Sequence, residues 1–361
     1  MEKRQTTVVI PSLEPDSRLA PYVRELVEAG YHVVVVNDGS NESYKPVFDE
    51  IAGIENVQVL HHAVNRGKGC ALKTAYRHIE ENVPETMWIV TADADGQHTK
   101  EDVKKVEQAL KDGMEGLVLG SRDFSLSHVP KKSRFGNRIT SFAFRLLYGV
   151  RCPDTQTGLR GFKRDLLQRM QAIKGDRFEY EMTVLIDLSR DNIPLPAVTI
   201  ETVYENENEG SHFNPIKDSI RIYKVIFANF FKFISSSVVS TGIDMGVAYL
   251  LLYILSKMGV APTWVRIFIS TAVARLISAT TNFLLNKKFV FNLKKGGRDA
   301  LWRYIVLCIV IWGISAGASA IVNHVLNISE YLVLPVVNIV LFFLSYRVQR
   351  NWVFKERETE K

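Results

Sequence analysis

Cysteine is scarce in this chain. There are three in 361 residues (Cys70, Cys152 and Cys308), an odd count, widely spaced and with no CxxC, which leaves no basis for a disulfide framework or a cysteine zinc site. A GxGxxG fingerprint is also absent, so the dinucleotide enzymes drop out. Met1 to Gln5 lead directly into a strand-like run with no apolar leader, and no signal peptide is expected. The net charge of +6 does not point to nucleic acid, because the basic residues gather beside apolar segments, where they set topology. Long apolar runs are missing up to about residue 212 and dominate after residue 225. The 47% hydrophobic content is therefore an average over two unlike halves, and the length suffices for two domains.

In the first half, β-rich runs at Thr6–Ile10, His32–Val36, Val57–Leu60, Met87–Thr91 and Gly116–Leu119 alternate with amphipathic stretches at Arg18–Ala29, Lys68–Glu80 and Lys100–Lys111. Such alternation predicts a mostly parallel sheet with right-handed crossovers, whose ligands sit at the carboxyl ends of the strands. Polar residues collect at those ends. The first run passes into Pro11-Ser12-Leu13-Glu14, and the second into Asn37-Asp38-Gly39-Ser40. Asp38 could accept from a nucleobase N–H or a ribose hydroxyl, although Asp-Gly-Ser is also ordinary turn chemistry. Asn65-Arg66-Gly67-Lys68-Gly69 opens a helix, and Lys68 beside a helix N-terminus suits a diphosphate. The fourth run stops on Asp93-Ala94-Asp95-Gly96-Gln97-His98. Asp93, Asp95 and Gln97 form a hard oxygen set suited to Mg²⁺ or Mn²⁺ shared with phosphates, with a polar strand-end turn as the alternative. The fifth ends on Gly120-Ser121-Arg122.

Lys131, Lys132, Arg134 and Arg138 form a basic segment ahead of an amphipathic helix at Ile139–Tyr148. Cys152 to Phe162 is rich in glycine and polar side chains and reads as unlike a packing segment. Glu179 and Glu181 enter an apolar helix, either as site residues or as first-turn carboxylates favoured by the helix dipole.

Taken together, Ile10-Pro11-Ser12, Asn37 to Ser40, Asn65 to Gly69, Asp93 to His98, Gly120 to Arg122 and Asp154 to Arg160 resemble glycosyltransferase family 2, in particular the polyprenyl-phosphate glycosyltransferases of the dolichol-phosphate mannose synthase type. The likeness covers residues 6 to about 205 and departs from the family at Ser12-Leu13-Glu14, where a Tyr-Asn-Glu-like run is usual. It implies a GT-A fold and inverting transfer of one sugar from a UDP- or GDP-linked donor to a polyprenyl phosphate. It further implies Pro11, Glu14, Asp38, Gly39, Lys68, Asp93, Ala94 and Asp95 on the donor and a divalent ion on Asp93, Asp95 and Gln97. Arg122, Arg134 and Arg138 would bind phosphate, Asp154 would have a positioning role, and Thr157, Arg160, Glu179 and Glu181 would lie on the acceptor side. Two other readings stay open: transfer to another lipid or glycan acceptor, and a lipid-linked-sugar transporter or scaffold.

The second half suggests an all-α membrane domain of four spans, at Phe231–Leu255, Trp264–Leu285, Tyr304–Val325 and Tyr331–Tyr346, the last being short unless it extends to Arg350. Lys287, Lys288, Lys294, Lys295 and Arg298 fill one loop, and Arg347, Arg350, Lys355, Arg357 and Lys361 follow the last span. The positive-inside rule then puts both termini and the first domain in the cytoplasm, on a multi-pass membrane protein. A repeat links Phe231-Lys232-Phe233-Ile234 to Trp302-Arg303-Tyr304-Ile305 at an offset of 71, and 286–291 to 349–354 at an offset of 63. Paired GxxxG steps at Gly242/Gly246 and Gly313/Gly317 suggest close packing within the bundle or between protomers of a homo-oligomer. The segment 282–291 resembles the GtrA-like four-span proteins, which implies involvement with polyprenyl-linked sugars. Asp244 and Arg275 are the deepest charges, read either as a polar path or as a structural pair. The expected division is 1–212, an amphipathic interfacial linker at 213–230, and 231–361.

Overall fold

The computed structural model describes residues 5–126, 129, 131–201, 216–260, 262–293, 296–326 and 330–355. The expected boundary at 212/213 and the charges at Lys294, Lys295, Arg357 and Lys361 lie outside them. The chain forms two compact units, Met1–Ile226 and Phe227–Lys361.

The first unit is built on strands β1 (Thr6–Ser12), β2 (His32–Asn37), β3 (Val57–His61), β4 (Trp88–Thr91), β5 (Val118–Arg122), β6 (Arg160–Lys163) and β7 (Ala197–Ile200). Helices α1 (Leu19–Glu28), α2 (Lys45–Ala52), α3 (Lys68–Asn82), α4 (Lys100–Lys111), α5 (Lys131–Tyr148), α6 (Leu167–Ala172) and α7 (Glu179–Arg190) complete it. The strands pair in the order β3-β2-β1-β4-β6-β5-β7. All pairings are parallel except those of β6, which runs antiparallel to β4 and β5. Val33 to Val36 are fully buried, as expected of a parallel strand covered on both faces.

All five expected strands form; β6 and β7 were not foreseen. β6 has a single large apolar residue, Phe162, and forms because it has a neighbour on each side, so sheet context overrides weak propensity. Its register sets Arg160 opposite Thr91, bringing the segment before it alongside the acidic end of β4. α4 starts on a capping box in which Thr99 and Asp102 exchange hydrogen bonds, and Asp102 also accepts from Glu201 N at 2.9 Å, fastening the end of β7.

Two expectations need correction. The basic segment does not precede a helix; it is the first two turns of α5. The polar stretch before β6 is packed after all: Asp154, Thr155, Thr157, Leu159 and Arg160 are all buried. Asp154, Thr155, Thr157 and Arg160 each make at least one hydrogen bond inside, which offsets much of the cost of burial.

Among the described residues the second half contains four α-helices, α8 (Lys217–Lys257), α9 (Thr263–Leu285), α10 (Gly297–Leu326) and α11 (Glu330–Val348). Among the described residues two helical stretches, Lys217–Lys257 and Thr263–Val290, are long and apolar enough to cross a membrane. α8 is continuous, ~60 Å long at 1.5 Å per residue, with no break between the expected linker and the first expected span. Its first turns belong to the first unit and the remainder to the second.

The sequence repeat has a counterpart in space. α9 and α11 both end in a π turn, at Asn286–Val290 and Gln349–Val353. Those turns meet: Asn286 Nδ2 donates to Gln349 Oε1 at 2.9 Å, between residues 63 apart, and Phe291 stacks on Phe354 at 5.0 Å. Contacts come in reciprocal pairs. Phe283–Phe354 (5.6 Å) mirrors Phe291–Tyr346 (5.9 Å), and Phe283–Tyr304 (5.4 Å) mirrors Phe233–Tyr346 (5.2 Å). Mid-helix, Arg275 lies 3.5 Å from Asp244, and at the equivalent positions Ser315 donates to Asn338 at 2.8 Å. The hairpins α8–α9 and α10–α11 are therefore two copies about a pseudo-two-fold passing between Asn286 and Gln349. Close packing at the GxxxG glycines within the bundle is not observed: a Cβ at Gly242, Gly246, Gly313 or Gly317 would meet nothing within 4 Å.

Candidate active site

The site is assembled at the carboxyl ends of β1, β2 and β4 and the amino end of α3. Asp93 is its centre. Lys68, in the first turn of α3, places Nζ 2.7 Å from Asp93 Oδ1 and 3.0 Å from Glu181 Oε2 on α7. His98 Nε2 stands 3.5 Å from Asp93 Oδ2. Burial opposes ionisation of Asp93, but the Lys68 ammonium and His98 win, holding the carboxyl well below the usual carboxylate range. Lys68 is also largely withdrawn from solvent, which opposes its charge, yet the charges of Asp93 and Glu181 hold its ammonium above the ordinary lysine range. Asp95 behaves oppositely: burial and the neighbouring Asp93 charge push its carboxyl up, and its Oδ1 accepts from Gln97 N at 3.1 Å. Gly158 comes so close that a Cβ there would lie 2.2 Å from Asp93 Oδ2 and would displace the Asp93 carboxylate. Thr91 fixes that approach by donating to Gly158 O at 2.7 Å.

Asp38 is 4% exposed and fully engaged. Its oxygens accept from Arg66 N at 3.0 Å and Gly67 N at 2.7 Å, and His62 Nδ1 is 2.7 Å away. It thus shapes the loop that presents Lys68. Gly67 has φ of 100° and faces Asp176 O at 2.4 Å from an added Cβ, which again requires glycine. Pro11 lies within β1 opposite Val36. Glu14 and Gly39 have φ of 45° and 76°. Glu14 N donates to Ser40 Oγ at 2.8 Å, and its carboxylate accepts from Asn41, so the first two loops hold each other.

A second ionic group lies at the end of β5. Asp154, with no exposed surface, receives Arg122 Nε at 2.7 Å and Nη2 at 3.0 Å in a bidentate pair, and it also accepts from Gln156 N at 3.1 Å. With its lone pairs so occupied, Asp154 positions Arg122 rather than standing free as a proton acceptor. Asn137 of α5, 3% exposed, donates to Pro153 O at 2.7 Å and accepts from Thr155 N at 3.1 Å, which ties this turn to the helix. Thr157 accepts from Leu159 N, and Arg160 donates to Thr157 O and Glu181 O, so both act inside the core. Glu179 accepts from Asp176 N and Arg177 N, the helix-start role. Arg134 donates to Leu126 O, and Arg138 is exposed on α5.

The structure therefore gathers Lys68, Asp93, Asp95 and Glu181 in one cluster and Arg122 with Asp154 in another. His62, His98 and Asn137 went unassigned in the sequence. His98 could have been found as the residue closing the acidic motif; His62 and Asn137 carry no local signal. Among the described residues no group of three or more His, Cys, Asp or Glu is placed to hold a metal ion.

A mostly parallel sheet broken by one antiparallel strand beside a DxD motif at a strand end is a GT-A-like core, the class of nucleotide-sugar transferases. The chain belongs to glycosyltransferase family 2: residues 7–171 match the glycosyl transferase family 2 profile, and residues 230–354 match the GtrA/DPMS transmembrane domain. It is 31% identical over 237 residues to an uncharacterized protein of Methanocaldococcus jannaschii, covering 64% of this chain and 95% of that one. It is 26% identical over 215 residues to the UDP-N-acetylglucosamine–dolichyl-phosphate N-acetylglucosaminyltransferase of Methanococcus voltae (55% and 85% covered). Against the dolichyl-phosphate beta-glucosyltransferase of Homo sapiens it is 27% identical over 240 residues (59% and 70% covered).

Proposed function

We propose that the protein transfers one sugar, with inversion, from a UDP- or GDP-sugar to a polyprenyl phosphate at the cytoplasmic face of a membrane that it spans four times, with both termini cytoplasmic. The observation that carries this reading is the Lys68–Asp93–Asp95 cluster at the end of β4, in a chain that also carries membrane-length helices. The names of the dolichyl-phosphate relatives support the acceptor.

The residues fit a divalent ion. Burial and the neighbouring Asp93 carboxylate both oppose ionisation of Asp95, and a cation held by the two carboxylates would relieve that. With only the Gln97 amide to add, most of the coordination sphere is left for phosphate oxygens and water, as Mg²⁺ and Mn²⁺ prefer. When bound, the ion neutralises charge developing on the leaving diphosphate. Lys68 supplies a cation beside Asp93 for the same diphosphate, Asp38 holds the loop that positions it, and Pro11, Glu14 and Gly39 line the nucleotide side. Arg122, set by Asp154, receives phosphate together with Arg134 and Arg138. The attacking group is itself a phosphate oxygen with a second pKa of about 6, already largely ionised at neutral pH, so a strong general base is not required.

The test is nucleotide release by the purified full chain given nucleotide sugars, undecaprenyl phosphate and Mn²⁺. Asp95→Ala is expected to lower the rate by roughly 10³-fold, the order seen when a key electrostatic group is removed. A wild-type rate no higher than that of Asp95→Ala, across UDP- and GDP-sugars, contradicts the proposal.

A further inference from the structure

His62 lies just past the end of β3 with its side chain only 5% exposed and both ring nitrogens engaged. Nδ1 stands 2.7 Å from Asp38 Oδ1, and Nε2 stands 2.9 Å from Thr74 Oγ1 on α3. The backbone N–H of the same residue donates to Asn37 O at 2.8 Å, which anchors it at the end of β2. Asp38 also accepts from the amides of Arg66 and Gly67, and a carboxylate offers only acceptors. That assigns the Nδ1 proton: Nδ1–H donates to Asp38. Nε2 faces a hydroxyl, which gives or takes a hydrogen bond as the ring requires.

These two contacts bracket Lys68. Asp38 holds the amides of the two residues immediately before it. Thr74 stands six residues after it on α3, about 9 Å along the helix. His62 is thus a strut, with one end on the loop that enters α3 and the other on the body of the helix. Lys68 works within hydrogen-bond reach of Asp93 and Glu181, at 2.7 and 3.0 Å. A displacement of about 1 Å at such a positioning group can cost on the order of a hundredfold. A histidine kept for packing alone has no need of partners on two elements that both lead to the same lysine.

We propose that His62 is a positioning residue for the donor: its Nδ1–H orients Asp38, its Nε2 holds Thr74, and together they set Lys68 where a nucleoside diphosphate meets it. The inference rests on the reading that Lys68 binds the donor diphosphate. The larger share of the effect belongs to Nδ1, because Asp38 grips the loop directly.

Asparagine and glutamine separate the two nitrogens. The Asn amide nitrogen is as many bonds from Cα as Nδ1 is, and the Gln amide nitrogen as many as Nε2. The full chain in nanodiscs is titrated calorimetrically with UDP and with GDP in the presence of Mn²⁺, and transfer from the corresponding nucleotide sugars to undecaprenyl phosphate is followed alongside. His62→Gln is expected to weaken diphosphate binding about tenfold, the scale of one lost hydrogen bond to a charged group. KM for the nucleotide sugar should rise by the same factor, with kcat within about twofold of wild type. His62→Asn should stay within about threefold of wild type in both measurements. In a Lys68→Met background, His62→Gln should cost no further affinity, because the strut acts through Lys68. Additive losses there overturn the proposal, and so does equal impairment of the Asn and Gln variants, or a fall in kcat at unchanged KM. Should His62→Gln not fold, Thr74→Val carries the test from the other end of the strut: binding about threefold weaker is expected, and wild-type affinity overturns the proposal. Wild-type binding of nucleotide without transfer defeats the proposed function alone, since the affinities still rank the variants; a wild type that binds neither UDP nor GDP defeats both.

Discussion

The two units bury polar groups in different ways. In the first, the ion pairs at the candidate site, Arg122 with Asp154 and Lys68 with both Asp93 and Glu181, join residues far apart in sequence and are largely withdrawn from solvent. In the second, the central buried groups are neutral amides, Asn286 and Gln349, which pair because they are equivalent positions of a repeat. A buried charge costs several kcal/mol to desolvate unless its partner is well placed. A buried amide costs less and serves well enough to fix which helices meet. The contrast separates a site built for reaction from a junction built for assembly.

The sharpest way to break the comparison is Asp154→Ala. It leaves the Arg122 guanidinium, 16% exposed, without its bidentate partner, and the expected destabilisation is about 3–5 kcal/mol. Thermal unfolding of the purified chain should show it; a variant within 1 °C of wild type would mean that this pair is not integral to the fold. Lys68→Met is expected to cost less, since the Asp93 carboxylate it leaves behind keeps 30% exposure and still has His98 beside it, and its value lies in the pH profile. A carboxyl depressed as Asp93 is stabilises the folded chain above its unfolded pKa of about 3.9 and loses that contribution as pH falls through the lower folded value. A lysine raised as Lys68 is contributes fully below about 10.4 and loses that contribution only as pH rises through its folded value. The stability gap between wild type and Lys68→Met should therefore be widest at mildly alkaline pH and narrow as pH falls, because Asp93 without the Lys68 ammonium is left with burial opposing its ionisation and the variant regains stability on protonation. A gap that widens as pH falls would refute the assigned directions. In the second unit, Asn286→Leu should cost about 1–3 kcal/mol by stranding the Gln349 amide. Adding Gln349→Leu should cost less than a second loss of that size, because both partners are then apolar. Additive losses in a double-mutant cycle would show that the two amides do not interact.

Much of the first unit could be read from the chain. Five strands, the start of α3, the whole of α4 and the acidic motif follow from alternation and from strand-end polarity. β6 could not be read, because Arg160-Gly161-Phe162-Lys163 has neither alternation nor β-branched residues and exists only by being clamped between β4 and β5. The partners of the site residues were also hidden. Asp154 and Arg122 are 32 positions apart, and no local pattern tells a carboxylate destined for an arginine from one left for substrate. In the second unit the repeat offsets were legible, and the structure shows that equivalent residues meet across the axis.

That axis has a consequence for how such a membrane unit came to exist. A hairpin whose π turn binds the π turn of its own copy is self-complementary, so a single-hairpin ancestor would have paired with a second molecule of itself, with identical residues facing each other across a true dyad. Fusion in tandem frees the copies from changing together. Asp244 with Arg275 in one and Ser315 with Asn338 in the other are what that freedom leaves behind: one inherited contact, ionic in one hairpin and neutral in its twin.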